Sequence, residues 1–330
     1  MRVGVIGAGA VGGAIAALMA RAGHEVEVTA RGANLTAIRE HGIRLTGVWG
    51  EYTAEVRAGS VLTRAPELAI VATKAQDARR AILNNEQLLD GIPVAVVQNG
   101  LGSVSASRPL LPRSDVVGAL ALYASSLIGP GEIAVGTPGH TYVGGGGDVP
   151  SQHVARILNE VMPARIEYNF LGAQWTKLVI NQVNALPAIT GLSVQEVIDI
   201  ASLRRILTLS MRENVRIGAK SGVRFAEIQG LTQRRLRAFL RSPLWLAESL
   251  PKLMAQRMGS IPNPGSTLQS IRRGGMTEID YLNGAVVTAA AAIGSDAPVN
   301  AALVELVHEV EQTREFLTPD QVAARVAQVG

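Results

Sequence analysis

Three sets of residues in this sequence have types and spacings suited to chemistry. Gly7-Ala8-Gly9-Ala10-Val11-Gly12 matches G-x-G-x-x-G. In that pattern the first glycine makes a tight turn, the second lets backbone approach a pyrophosphate, and the third lets a helix pack closely on a strand. Lys177, Asn181 and Asn184 stand at i, i+4 and i+7 in the apolar segment from Trp175 to Leu186, so on a helix they share one face. Burying an ammonium and two carboxamides is costly unless each finds a partner. The stripe therefore faces a wet cleft, for which the space between two domains is the natural place, or it bonds to a neighbouring helix with the lysine tip in solvent. The third set lies between Pro264 and Gly284. There Thr277 and Asp280 spell a near capping box with Glu278 as the first helical residue, an acid suited to the helix dipole, and Ser266 reads as an N-cap.

The elements that position these residues follow from periodicity. A short apolar strand from Arg2 to Gly7, an alanine-rich helix from Ala10 to Ala22 stopped by Gly23, and an alternating strand from Glu25 to Ala30 make a βαβ unit with the glycines at its first turn. A helix N-terminus then faces the phosphates of a dinucleotide. The second strand ends at Ala30 without the acid that usually binds a ribose hydroxyl, and Arg31 follows. This suits the 2′-phosphate of NADPH, the alternative being a solvated surface arginine. Further strands are expected at Leu68 to Ala72, Pro93 to Gln98 and Val116 to Leu122, spaced for helical crossovers. The fold class is α/β, an N-terminal Rossmann-type doubly wound parallel sheet followed by an all-α domain, with domains at 1–170 and 171–330. Helices are expected from Ser151, over Trp175 to Leu186 and Ser193 to Gly222, in two pieces across Leu231 to Met258, and in long stretches from Thr277 and from Asn300.

Composition narrows the chemistry. The 330 residues are 47% apolar and 18% charged, enough for two folded domains. There is no cysteine, which removes disulfides, thiolate metal sites and cysteine nucleophiles and suits a reducing compartment. With the first strand starting at Arg2 or Val3, and no apolar run approaching the roughly 20 residues of a membrane helix, a cytoplasmic protein without a membrane segment is expected. A net charge of +4 with scattered arginines gives no nucleic-acid surface. His24, His41, His140, His153 and His308 show no metal-ligand spacing and each reads as a surface or turn residue, so no metal is expected. Lysine occurs only at Lys74, Lys177, Lys220 and Lys252, the other cations being arginine. Lysine, unlike arginine, can give up a proton.

In their order and spacing these motifs resemble one family, the ketopantoate reductases (2-dehydropantoate 2-reductases), over nearly the whole chain. The resemblance rests on the glycine turn, Thr73-Lys74, Gln98-Asn99-Gly100-Leu101-Gly102, Trp175-Thr176-Lys177 leading to Asn181, and Thr277-Glu278-Ile279-Asp280-Tyr281-Leu282-Asn283-Gly284. It implies that Gly7, Gly9, Ala10, Val11 and Gly12 hold NADPH, with Arg31 and Lys74 near its adenosine phosphates and Asn99 near the nicotinamide ribose and the substrate. Lys177 would be the proton donor and Glu278 a polar partner of the lysine or the substrate, with Asn181, Asn184 and Ser266 on the substrate itself. The implied reaction is reduction of a branched 2-oxo acid, 2-dehydropantoate foremost, a step of pantothenate biosynthesis. The alternatives are another oxo acid or an imine on the same fold, or an NADP-sensing module without turnover. The implied partners are the small oxo acid and, with oligomeric state open, a second copy in a homodimer.

Four features depart from the family pattern. Ala185 stands where a second asparagine is common, Asn184 coming one position early; Gln195 replaces an asparagine expected on the substrate; and Ser270 replaces an aspartate. The segment from Phe225 to Asn263 is long and carries Arg234, Arg235, Arg237 and Arg241, then Leu244-Trp245-Leu246. It offers a lid, a dimer contact or a solvated helical hairpin.

Overall fold

The computed structural model describes residues 1–259 and 261–328. The chain divides into two compact units, Met1–Phe170 and a second from Leu171 onward.

The first unit contains β1 (Arg2–Ile6), β2 (Glu25–Thr29), β3 (Ile43–Gly47), β4 (Tyr52–Ala54), β5 (Arg57–Gly59), β6 (Leu68–Val71), β7 (Val94–Val97), β8 (Val116–Ala121), β9 (Ala124–Gly129), β10 (Glu132–Thr137), β11 (Thr141–Gly144) and β12 (Ala164–Ile166). Eight of these form one sheet in the order β12-β11-β8-β7-β6-β1-β2-β5, and β4-β3-β10-β9 form a second. From β5 to β8 every pairing is parallel, and strands are added outward in opposite directions on either side of β1. That reversal of strand order is the switch point at which open α/β sheets bind nucleotides.

The doubly wound parallel sheet is as expected, and it carries an antiparallel step towards one edge. β11 runs antiparallel to β8, and β12 follows β11 in parallel. The stretch between β8 and β11 is spent on the β9–β10 hairpin rather than a crossover helix, so the chain re-enters the sheet in the direction that needs no crossover.

The second sheet explains a sequence peculiarity. Helix Ala10–Arg21 buries Gly12 through Met19 without a polar face, because β1 and β2 pack on one side of it and the small sheet on the other. A helix apolar all round belongs in such a sandwich. A Cβ on Gly13 would stand 2.9 Å from the Ile133 side chain of β10, so small residues set the spacing between the layers.

The second unit is helical apart from a single bridge between Ile228 and Leu231 among the described residues. Its helices are Phe170–Asn181, Ala185–Thr190, Val194–Asp199, Ala201–Lys220, Gln233–Arg241, Leu244–Ala247, Ser249–Met258, Gly265–Arg272, Asn283–Ala292, Pro298–Thr313 and Pro319–Ala327. Capping boxes at Ser193/Glu196 and Thr318/Gln321 start two of them. Two expected helices have different bounds from those their periodicity suggests. The first ends at Asn181 and passes through a 3-10 turn, Gln182–Asn184. The helix expected from Thr277 begins only at Asn283, after a 3-10 turn at Ile279–Tyr281.

The interior of this unit is partly polar. Asn283 Nδ2 donates to Gln182 Oε1 at 2.7 Å and to Asn300 Oδ1 at 3.0 Å, and Ser210 Oγ donates to Gln182 Oε1. The buried Glu213 carboxylate accepts the backbone N–H groups of Val299 and Asn300, both at 2.9 Å, and caps helix Pro298–Thr313 from outside its own sequence.

No described helix is long and apolar enough to cross a membrane. No group of three or more His, Asp or Glu among the described residues could hold a metal ion.

Candidate active site

The glycine turn occupies the loop between β1 and helix Ala10–Arg21, and each glycine has a different reason to lack a side chain. Gly7 has φ +102°, a conformation that L side chains rarely adopt. At Gly12 a Cβ would lie 2.0 Å from the Gly7 carbonyl oxygen, which no real contact permits. At Gly9 nothing lies within 4 Å of the same construction, leaving that side open to a ligand.

The helix that follows has no side-chain cap and no acid in its first turn, so its leading N–H groups, those of Ala10 and Val11 among them, face no competing carboxylate. That is the electrostatic condition for holding a phosphate. Two neighbours fix the turn: Thr29 Oγ1 accepts from Gly7 N at 3.0 Å, and Asn34 donates to the Ala8 carbonyl at 2.8 Å while accepting from Gly131 N at 2.8 Å. These residues fit a dinucleotide.

Arg31, exposed, is the N-cap residue of helix Gly32–His41, and Lys74, half-buried, holds the same position before helix Ala75–Leu83. Beyond β7 the Gln98 side chain donates to the Thr73 carbonyl at 3.1 Å. Next to it Asn99 sits half-buried in a bend, followed by Gly100 at φ +83°.

Lys177 lies on helix Phe170–Asn181, which is seated by Trp175: a Cβ on Gly218 of helix Ala201–Lys220 would come within 2.9 Å of the indole. One residue on, Thr176 Oγ1 donates to the carbonyls of Gly172 and Ala226. Lys177 is only 8% exposed. Burial disfavours its ammonium and brings its pKa from 10.5 down to about 8, against the charge of Glu278, which pushes it back up.

Asn181, one turn along, has a buried Nδ2 with no hydrogen-bond partner. An orphaned buried donor in a native fold calls for a group the protein does not itself supply.

Asn184 lies in the 3-10 turn, and its carboxamide is engaged internally: Nδ2 donates to the Asn181 carbonyl and Oδ1 accepts from Ser266 N, both at 3.0 Å. Ser266 itself, exposed, is the second residue of helix Gly265–Arg272 rather than its cap, which is Pro264. Gly265 packs closely on Asn184: its φ of +70° would strain any L side chain, and a Cβ would lie 2.6 Å from Oδ1, so the carboxamide would have to shift.

Glu278, half-buried, is not the first residue of an α-helix. It is the N-cap of the short 3-10 turn, with φ −105° and ψ 23°. Thr277 does not close a capping box with Asp280: its hydroxyl accepts from Ile279 N at 3.2 Å, and its own N–H donates to Glu311 Oε1 at 2.6 Å. The hydroxyl takes a local partner and the backbone N–H a tertiary one.

His308, half-buried, joins two carboxylates: its Nε2 lies 2.9 Å from Asp280 Oδ1 and its Nδ1 2.8 Å from Glu311 Oε2. Gln195, which replaces an asparagine expected on the substrate, is engaged within the protein. It donates to the Gly259 and Ile261 carbonyls and accepts from Asn263 N, clipping down the loop that leads to Ser266.

Comparison with known proteins now separates what is general from what is particular. Residues 3–147 match the family model described as ketopantoate reductase PanE/ApbA, and residues 169–311 match the model of its C-terminal part. A 2-dehydropantoate 2-reductase of Pyrobaculum aerophilum is 30% identical over 318 residues, covering 92% of this chain and 95% of that protein. The chain belongs to the PanE/ApbA ketopantoate reductase family. Membership makes it an NAD(P)-dependent oxidoreductase acting at a CH–OH carbon. The crystal structure of a PanE/ApbA family ketopantoate reductase from Ralstonia eutropha JMP134 superposes with a TM-score of 0.80 at 28% identity, over 95% of this chain and 99% of that one. The family fold extends further. The structure described as D-mandelate dehydrogenase with NADH and anilino(oxo)acetate gives a TM-score of 0.81 at 21% identity, over 95% of this chain and 99% of that one.

Proposed function

We propose that this chain reduces a branched 2-oxo acid to the 2-hydroxy acid with NADPH, 2-dehydropantoate being the foremost substrate. The observation that carries the reading is the pairing on one helix of a buried lysine, poised near pH 8 and under the influence of Glu278, with an asparagine whose buried amide donor has no partner.

A dinucleotide held by the glycine turn would supply the hydride that reduces the carbonyl carbon. Lys177 does the rest of the bond making: its ammonium stabilises the charge that grows on the carbonyl oxygen and gives that oxygen its proton, then regains one from solvent. A pKa near 8 leaves the group mostly charged at neutral pH yet ready to release a proton. Glu278 keeps the ammonium favoured in a site that otherwise disfavours it. Asn181 donates its free amide hydrogen to the substrate, Ser266 offers its hydroxyl, and Asn184 acts through Ser266, whose backbone it holds. In the first unit Gly7, Gly9, Ala10, Val11 and Gly12 take the pyrophosphate, Arg31 and Lys74 the adenosine phosphates, and Asn99 the nicotinamide ribose. Arg31, beside a second strand that ends without an acid, supports NADPH over NADH.

The decisive experiment follows NADPH absorbance with a panel of 2-oxo acids, repeated with NADH. Turnover is expected with 2-dehydropantoate, faster with NADPH. Because the Gln195 amide is committed to the 259–263 loop, a second reading places a bulkier 2-oxo acid in the space that an asparagine would have bordered. Phenyl-substituted oxo acids in the same panel separate the two, and inactivity towards every oxo acid and imine tried would remove the reductase reading altogether.

A further inference from the structure

Glu278 sits at the entry to a 3-10 turn, where no preceding helical turn holds it. The residues on either side of it are tied to one place. Thr277 N, on its N-terminal side, donates to Glu311 Oε1 at 2.6 Å. The Asp280 carboxylate, on its C-terminal side, meets His308 Nε2 at 2.9 Å. His308 Nδ1 meets the other oxygen of Glu311 at 2.8 Å. The four groups form a closed clasp: backbone, carboxylate, imidazole, carboxylate, returning to the same turn two residues beyond Glu278.

The chemistry of the ring decides what this clasp requires. Both ring nitrogens face carboxylate oxygens, which only accept. A neutral imidazole has one N–H and turns a lone pair to the other carboxylate; the imidazolium donates to both. We propose that His308, as an imidazolium bridging Glu311 and Asp280, is a positioning residue that fixes the Thr277–Asp280 turn and thereby holds Glu278 where its charge acts on Lys177. The proposal rests on the assignment of Lys177 as proton donor, but its first consequence is a property of the lysine alone.

The surroundings fit. The charged groups facing the ring are Glu311 on its own helix and Asp280 on the turn. Burial pulls the His308 pKa down, but the bonds and charges of Glu311 and Asp280 more than offset this and leave it raised. Glu311, its side chain only 4% exposed, keeps its charge through the bonds from Thr277 and His308. Asp280 is 61% exposed. When the ring loses its proton with rising pH, the solvated Asp280 is the cheaper partner to release, and the clasp opens on the side nearer solvent.

The test uses His308→Gln and Asp280→Asn, the second a surface change that spares the buried carboxylate and keeps the fold. Because the chain has only four lysines, the pKa of Lys177 can be read in lysine-labelled protein by NMR titration, its signal assigned with Lys177→Arg. The proposal expects the Lys177 pKa to fall by about half a unit or more in both variants, as an opposite charge moves away. It expects Glu278→Gln to give the same fall with no further change on adding His308→Gln. In turnover, kcat should drop about 10- to 100-fold, as for a misplaced group, its alkaline limb moving to lower pH while NADPH affinity holds. An unchanged Lys177 pKa in folded His308→Gln and Asp280→Asn proteins overturns the clasp. A fall in that pKa, in a protein that reduces no oxo acid, sustains the clasp and sinks the reductase reading instead.

Discussion

The glycine turn of the first unit and the lysine site of the second solve opposite problems. The turn works by what is missing: at Gly7, Gly9 and Gly12 any side chain would strain the backbone, fill the open side or strike a carbonyl, and the ligand meets main-chain N–H groups that every sequence possesses. The lysine site works by what is added, a charged group placed where charge is disfavoured and kept there by the charge of Glu278 on another turn. The first can be destroyed by one methyl group. The second is costly to the fold even when intact, and this difference makes the two separable by experiment.

The largest effect is expected from Lys177→Met, which should lower kcat by about 10²- to 10⁴-fold and leave NADPH affinity unchanged in a calorimetric titration. The same variant should be more stable than the parent. A lysine whose folded pKa is about 8, against 10.5 for the free group, binds fewer protons folded than unfolded between those values. Parent stability therefore rises with pH across that window. The gain from Lys177→Met, roughly 1–3 kcal/mol, should be greatest below pH 8 and shrink towards pH 10.5 in thermal melts. A Met variant less stable than the parent at pH 7 would mean that the ammonium is stabilised where it lies, and the contrast with the glycine turn would fail.

Next come the glycines themselves. Gly12→Ala should destabilise the first unit by about 1–3 kcal/mol, as overpacking does, and weaken cofactor binding with it. Gly9→Ala, with nothing within 4 Å, should leave the melting temperature alone and still weaken NADPH binding about tenfold, near 1.4 kcal/mol. Equal losses of stability in the two variants would show that Gly9 serves packing rather than approach.

An effect as small as that of Gly9→Ala belongs to Arg31→Ala. It should cost about 1.5 kcal/mol of NADPH affinity, the worth of a hydrogen bond to a charged group, with NADH affinity unaltered. Parallel losses for both dinucleotides would place Arg31 away from the 2′-phosphate.

The same contrast governs what the sequence reveals. Strands β1 and β2 and the intervening helix stand where periodicity puts them, because a glycine turn between two buried strands carries its constraints locally. The small sheet was not legible: β3, β4, β9 and β10 are three to six residues long, and β10 pairs with β3 across some ninety residues of sequence. The Lys177 stripe was visible as a pattern, yet the pattern assumed a continuous helix, and the 3-10 turn after Asn181 gives Asn184 a different duty. The Thr277 helix failed because its capping signal is local while the bonds that matter come from Glu311 and His308, about thirty residues on. No spacing rule connects those positions. A histidine whose second acid lies 28 residues away leaves no motif.

The Asn34 amide, bonded at one end to the Ala8 carbonyl and at the other to Gly131 N, bears on protein engineering. Cofactor-exchange designs transplant the short stretch after the second strand, here Arg31 to Leu35, as if it were a cassette. In this chain the cassette also contains the staple that joins the phosphate turn to the hairpin below it. An otherwise conservative graft that replaced Asn34 with aspartate would set a carboxylate against a carbonyl oxygen and add a negative charge beside the expected phosphates. Under the role proposed for Arg31, recoding the dinucleotide preference means changing Arg31 while leaving Asn34 untouched.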